Sequence, residues 1–175
     1  MPRCCSASTA AAVVPADSKG KAHDDDRDNS SSRMEILEWV KIGGTNSLPP
    51  LTATTLDLSR CGWGDSDARI FASLLHRLPD LTNLSLGFNS ISDSGVEAIT
   101  QSCRRGALRK LERLYLAGND VGEQGVDALV RSLRSNQLPS CSHINLAKNP
   151  RAEETKWLVE ELLLDRDYRA PDKRD

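Results

Sequence analysis

Aromatic side chains make up 4% of this 175-residue sequence, so any core must be built from Leu, Ile, Val and Ala. No apolar run approaches the ~20 residues of a membrane-crossing helix, and no membrane span is expected. Charge is nearly balanced, with 23 basic and 25 acidic side chains. The basic excess that phosphate backbones attract is missing, so no nucleic-acid partner is expected. Histidines are few, and His23, His76 and His143 fall in a tail, a helix end and a strand face, with nothing to bring them together. The five cysteines (Cys4, Cys5, Cys61, Cys103, Cys141) have neither a disulfide framework nor zinc spacing. The N-terminus lacks the roughly 7–15-residue apolar centre of a secretory signal, since Ala10 to Val14 ends at Pro15. One base, Arg3, precedes Lys19, which is poor support for a transit peptide. A cytoplasmic, reducing location is therefore expected. Phosphate loops, nucleophile–base constellations and metal motifs are also missing, so no enzyme, catalytic residue, metal or cofactor is expected.

Residues 1–33 are rich in Ser, Ala and Asp, and too poor in large apolar side chains to offset their ordering entropy. They are expected to form a disordered tail. Within it, His23-Asp24-Asp25-Asp26 reads as a solvated acidic run, with loose metal binding the alternative. Cys4 and Cys5 are tail thiols, with palmitoylation the alternative. Residues 34–52 read as a capping helix and loop. Ile36, Leu37 and Val40 share its apolar face, Ser31 or Ser32 is its N-cap, and Gly43-Gly44 then Pro49-Pro50 end it.

What is present is a repeat. Ala53-x-x-Leu56-x-Leu58-x-x-Cys61, Leu81-x-x-Leu84-x-Leu86-x-x-Asn89, Leu111-x-x-Leu114-x-Leu116-x-x-Asn119 and Cys141-x-x-Ile144-x-Leu146-x-x-Asn149 superpose. Their last positions are 28, 30 and 30 residues apart. The register continues through Trp63/Ile91/Val121 and Asp67/Gly95/Gly125. It runs on through Ala68/Val96/Val126, Phe71/Ile99/Leu129, Leu75/Cys103/Leu133 and Leu78/Leu108/Leu138. So many agreeing columns distinguish a true repeat from one amphipathic segment. Spacing by two and then by three or four predicts a strand followed by a helix in each unit. Full repeats span 53–80, 81–110 and 111–140, with a half-repeat after. The repeats thus cover 53–150, close to the usual minimum of about three.

The columns carry their own chemistry. Asn89, Asn119 and Asn149 are expected to stack as a buried ladder satisfying turn backbone, because an amide offers donors and an acceptor together. Cys61 holds that slot in the first repeat. Cys61, Cys103 and Cys141 are expected as inert core thiols. Asp65, Asp93 and Glu123 precede the helices, where the dipole favours negative charge. His76, Arg104 and Arg134 lie near the helix ends, where it favours positive charge, and a convex-side acidic partner is the alternative. In the last unit Arg151 and Thr155 break the pattern. A charged helix from Glu153 to Asp165, with Trp157, Leu158, Leu162 and Leu164 inward, is expected to cap the core over 151–165. Residues 166–175 read as a solvated tail.

The unit resembles the ribonuclease-inhibitor type of leucine-rich repeat, most closely from Leu111 to Leu129. The resemblance covers 53–149 and implies an α/β fold: a short right-handed solenoid with a parallel concave sheet, convex helices and helical caps. Related repeats occur in ribonuclease inhibitor, Ran GTPase-activating proteins, NOD-like receptors and tropomodulin. They share a scaffold, not a chemistry, so the resemblance implies a binding surface. Non-Leu strand positions face the concave side, giving the rows Thr54/Thr82/Glu112/Ser142, Thr55/Asn83/Arg113/His143, Asp57/Ser85/Tyr115/Asn145 and Arg60/Phe88/Gly118/Lys148. Exposed aromatics and Arg are enriched among binding hot spots, so Tyr115, Arg113 and Phe88 lead the candidates. Asn83, Ser85, Asp57, Arg60, His143 and Asn145 complete them. For Phe88 the alternative is packing into the following turn, and for Tyr115 an isolated exposed ring.

The expected function is that of a non-catalytic scaffold or adaptor, a monomer binding an unidentified protein partner on the concave face. Two alternatives stay open. One is a GTPase-activating role like that of the Ran activators, whose longer arrays and acidic C-terminal segments have no counterpart here. The other is a stand-alone or partial repeat domain of a NOD-like-receptor-type sensor. A cytoskeletal or ciliary adaptor would be a form of the same binder.

Overall fold

The computed structural model describes residues 34–40 and 53–169. The expectations for the tail, for Cys4, Cys5 and His23, for the Ser31/Ser32 cap, and for the stop at Gly43, Gly44, Pro49 and Pro50 lie outside the described residues. A first helix, α1, occupies 34–40. The chain then alternates β1 (Thr55–Asp57), α2 (Asp65–Leu74), β2 (Asn83–Ser85), α3 (Asp93–Arg104), β3 (Arg113–Tyr115), α4 (Glu123–Arg134) and β4 (His143–Asn145), and ends in α5 (Trp157–Arg169). The strands form one parallel sheet in chain order. In register across it lie Thr55, Asn83, Arg113 and His143, then Leu56, Leu84, Leu114 and Ile144, then Asp57, Ser85, Tyr115 and Asn145. Each helix packs on the next, α2 on α3, α3 on α4 and α4 on α5. The result is an α/β solenoid with a strand side and a helix side.

Strand alternation sets the core. Leu56, Leu84, Leu114 and Ile144 are buried between more exposed neighbours. Leu58, Leu86, Leu116 and Leu146 follow two residues later, also buried. The helices return Ala68/Val96/Val126, Phe71/Ile99/Leu129 and Leu75/Cys103/Leu133 to the same cluster. Trp63, buried like Ile91 and Val121, sets its ring 5.4 Å from that of Phe71.

Two polar ladders bind unit to unit. In the first, Asn119 Nδ2 donates to Leu116 O of its own unit and Leu86 O of the preceding one, while its Oδ1 accepts from Ile91 N–H. Asn149 does the same with Leu146 O, Leu116 O and Val121 N–H. Asn89 bridges Leu86 O and Leu58 O, and its Oδ1 accepts from both Cys61 N–H and Trp63 N–H. Each amide thus satisfies backbone that the neighbouring unit has turned inward. Cys61 lies at the open end of this ladder and is half-buried, unlike Cys103 and Cys141, so the expectation of three core thiols is corrected.

The second ladder adds a role for Asp65 and Asp93, which lie in the first turns of their own helices as expected. Asp65 accepts from Ser92 N–H (2.8 Å), Ser92 Oγ (2.6 Å) and Gly95 N–H (3.0 Å) at the start of the next helix. Asp93 accepts from Gly122 N–H (2.6 Å) and Gly125 N–H (2.9 Å). Each carboxylate therefore caps the helix of the following unit. This explains the glycine column sterically. A Cβ at Gly95 would meet Asp65 Oδ1 at 2.7 Å, and one at Gly125 would meet Asp93 Oδ1 at 2.8 Å. Position 67 carries Asp67, whose Oδ2 accepts from Gly64 N–H on its own helix.

The ends differ in detail from expectation. In α1 the buried set is Ile36, Trp39 and Val40, with Leu37 half-buried. At the other end a short 3-10 turn at Pro150–Ala152 intervenes, and α5 starts at Trp157 rather than Glu153 and runs to Arg169 rather than Asp165. The turn resets the helical phase. Ala152, Val159 and Leu163 therefore point inward, with Leu158 and Leu162 at the margin. Trp157 (53% exposed) and Leu164 (72%) face outward, contrary to expectation. The Trp157 indole N–H instead closes the preceding turn on Glu154 O.

Two outcomes follow from the ladders. Asn119→Ala strips partners from Ile91 N–H, Leu86 O and Leu116 O, and should lower the unfolding free energy by about 3 kcal/mol in urea denaturation. For Asp65, burial pushes the carboxyl pKa up, but the bonds from Ser92, Ser94 and Gly95 together outweigh it and hold it below 3.8. A lowered acid contributes stability above its unfolded value and loses it as pH falls through the folded one. The gap in thermal midpoint between wild type and Asp65→Asn should stay constant above about pH 5 and close as pH drops below 3.8 toward the depressed value.

Candidate protein-binding face

The strand side is made of side chains that the alternating pattern excludes from the core. Strands in such a sheet lie ~4.8 Å apart, so each register position becomes a continuous surface row. In the second row Arg113 Nη1 donates to Asn83 Oδ1 (3.2 Å), and Asn83 Nδ2 donates onward to Thr55 Oγ1 (3.3 Å) and Thr82 Oγ1 (3.1 Å). Arg113 is thereby held across three strands while remaining exposed. His143 ends the row and sets its ring 5.6 Å from Tyr115, tilted by 56°. Tyr115 is half-buried and shares this contact, so it is not an isolated ring.

The third row is anchored at both ends by its own side chains. Asp57 Oδ1 accepts from the Ser59 backbone and hydroxyl, and the Ser59 hydroxyl lies 2.8 Å from that of Ser85. Asn145 Oδ1 accepts from Ala147 N–H (2.9 Å) at the far strand. Ser85, Tyr115 and Asn145 are half-buried, and Asp57 is exposed.

Beyond the strands the chain reverses, and here the fourth row forms a lip. All four of its residues are left-handed: Arg60 (φ 56°), Phe88 (φ 55°), Gly118 (φ 69°) and Lys148 (φ 57°). Positive φ is strained for a bulky side chain. Phe88 nonetheless stays 45% exposed rather than packing into the turn. Its ring reaches over Gly118, where a Cβ would meet Phe88 Cδ1 at 2.7 Å. The Arg60 guanidinium lies 4.7 Å from the ring centroid and the Lys148 ammonium 5.3 Å. The alignment puts Lys148 in this row, yet nothing in it shows that one ring spans two repeats to meet it. The signal available in sequence is Gly118, the one position in the row without a side chain.

These rows present hydrogen-bonding groups, ring faces and cations at the surface. His76 is far along the chain's helix side, bonded to Ser73 O, and is not brought to His143. Among the described residues no group of three or more His, Cys, Asp or Glu converges to hold a metal. Burial pushes the Cys103 thiol up to about 12, which removes its thiolate at neutral pH. No helix among the described residues is long and apolar enough to cross a membrane.

Fold and face together define a repeat protein of the α/β solenoid class. A leucine-rich-repeat model matches residues 77–99 and 107–130, so the chain carries leucine-rich repeats. No curated protein matches it. Among solved structures it is similar to one of leiomodin-1 described as actin-binding site 2. The two are 16% identical with a TM-score of 0.54, covering 78% of this chain and 74% of that one. A structure of the Chaetomium Mex67:Mtr2 subunits is 20% identical with a TM-score of 0.42, covering 81% and 83%.

Arg113 and Tyr115 touch the fold lightly. Arg113→Ala and Tyr115→Ala should each change the unfolding free energy by less than about 1 kcal/mol, checked by urea denaturation. That makes them clean probes of binding.

Proposed function

We propose that this chain is a non-catalytic protein-interaction module, a scaffold or adaptor that takes a protein partner on its strand face. The observation that carries this reading is the ordered row of Arg113 tied to Asn83 beside the Tyr115–His143 ring pair. Side chains held in place lose little entropy on binding, and Tyr and Arg are the residue types that anchor interfaces. Phe88, Arg60, Asp57, Ser85 and Asn145 complete the face. The unit length and the buried Asn89, Asn119 and Asn149 support the ribonuclease-inhibitor type of repeat. The four-strand sheet supports a modest footprint, and we assign the chain as a cytoplasmic monomer.

Leiomodin-1, whose fold this chain shares, is described by an actin-binding site, which makes actin the first partner to test. Co-sedimentation with filamentous actin, run beside proximity labelling in cells, should recover a partner with the wild type. The Tyr115→Ala/Arg113→Ala double variant should lose that partner while keeping its thermal midpoint. Undiminished recovery by the folded double variant would overturn the strand-face assignment.

A further inference from the structure

We propose that the lip formed by Arg60, Phe88 and Lys148 is a docking site for an acidic protein segment, one whose carboxylates flank an apolar side chain. The proposal rests on the strand side being the protein-binding side, and adds the chemistry of what binds at its edge.

Three observations converge on this lip. The first is backbone strain. A β-carbon residue held at positive φ costs free energy, and such outliers cluster where a binding role retains them. Phe88 is a bulky example, and its exposed ring recovers little by burial. Gly would occupy the same φ without strain, as it does at Gly118 one unit later.

The second is preorganisation across repeats. Arg60 belongs to the first unit, Phe88 to the second and Lys148 to the fourth. Gly118 leaves the gap in the third through which the ring leans toward Lys148. The three groups form one assembly, with both cations drawn to the ring by its quadrupole.

The third is charge. Neither Arg60 nor Lys148 makes an ion pair among the described residues. Asp57, an acid of the strand rows, already accepts from Ser59. Two cations bracketing an apolar ring therefore face outward with their charge unmet. The complementary ligand carries carboxylates on either side of an apolar group that seats on the ring. Like-charged partners are rejected by the same arrangement.

The test uses the full chain and three fluorescein-labelled probes read by anisotropy. These are a peptide of glutamates interspersed with leucines, its counterpart with every glutamate replaced by lysine, and single-stranded oligodeoxythymidine. The acidic peptide should bind, with affinity falling as salt is raised. Arg60→Gln/Lys148→Gln should weaken it about fivefold or more. Phe88→Gly, which keeps both charges, should weaken it by a similar factor without lowering the thermal midpoint. No binding of the acidic peptide, equal binding of the lysine peptide, or tighter binding of the oligonucleotide overturns the proposal. So does self-association that the Arg60→Gln/Lys148→Gln variant abolishes, which would make a second copy the occupant. Undiminished binding by either folded lip variant overturns it as well. If the acidic peptide instead depends on Tyr115 and Arg113 alone, the lip fails and the strand-face reading stands. Dependence on the lip alone supports the lip and leaves the strand-face assignment without support.

Discussion

The buried asparagine amide is the interaction on which the rest of the structure depends. Every unit must turn sharply after a three-residue strand, and the turn directs backbone donors and acceptors into the interior. Asn89, Asn119 and Asn149 each meet that demand for their own unit and for the one before. A buried polar group left without a partner costs more than a made bond contributes, so a unit without its neighbour is incomplete. The array is cooperative for that reason, and the apolar columns only reinforce it.

The aspartate ladder repeats the logic on the helix side. Asp65 and Asp93 satisfy amide groups that open the following helix, and Gly95 and Gly125 clear the space for them. Helix packing and helix capping thus become one event, formed only when units stack. At the far end the pattern stops. Arg151 approaches Asp93 at 3.9 Å, and the 3-10 turn rotates α5 so that Val159 and Leu163 close the core. Between them the two ladders use the interior and the helix starts, and they leave the strand face without a structural duty.

That freedom is what the proposed binding role draws on. The strand rows are populated by Arg113, Tyr115, His143 and Asn83, which contact one another across strands. The lip is a different kind of feature. Phe88 occupies a backbone conformation that disfavours it and exposes a ring that would be better buried. A fold optimised for stability alone would place Gly or Asn there, so the lip carries the mark of a stability cost held for another purpose.

The repeat was legible in the residues because it rests on local rules. Alternation at Leu84 and Leu86, helical spacing at Val96 and Ile99, and recurrence at a near-constant period each follow from backbone geometry. The asparagine column followed from them, while the parallel sheet and its surface rows followed from the resemblance that the repeat carries. What tertiary structure decided were relations between units and phases after irregular turns. The Asp65–Gly95 bond joins residues 30 apart, so an acid before a helix looked like a partner for its own dipole. The inward face of α5 depended on a turn whose rotation no periodicity encodes, which put Val159 and Leu163 inside and Trp157 outside. The Arg60–Phe88–Lys148 assembly needed one ring to cross a glycine in an intervening repeat. Sequence alone determined the scaffold, since each unit repeats a local solution. Stacking decided which side chains act together, because those contacts exist only between units.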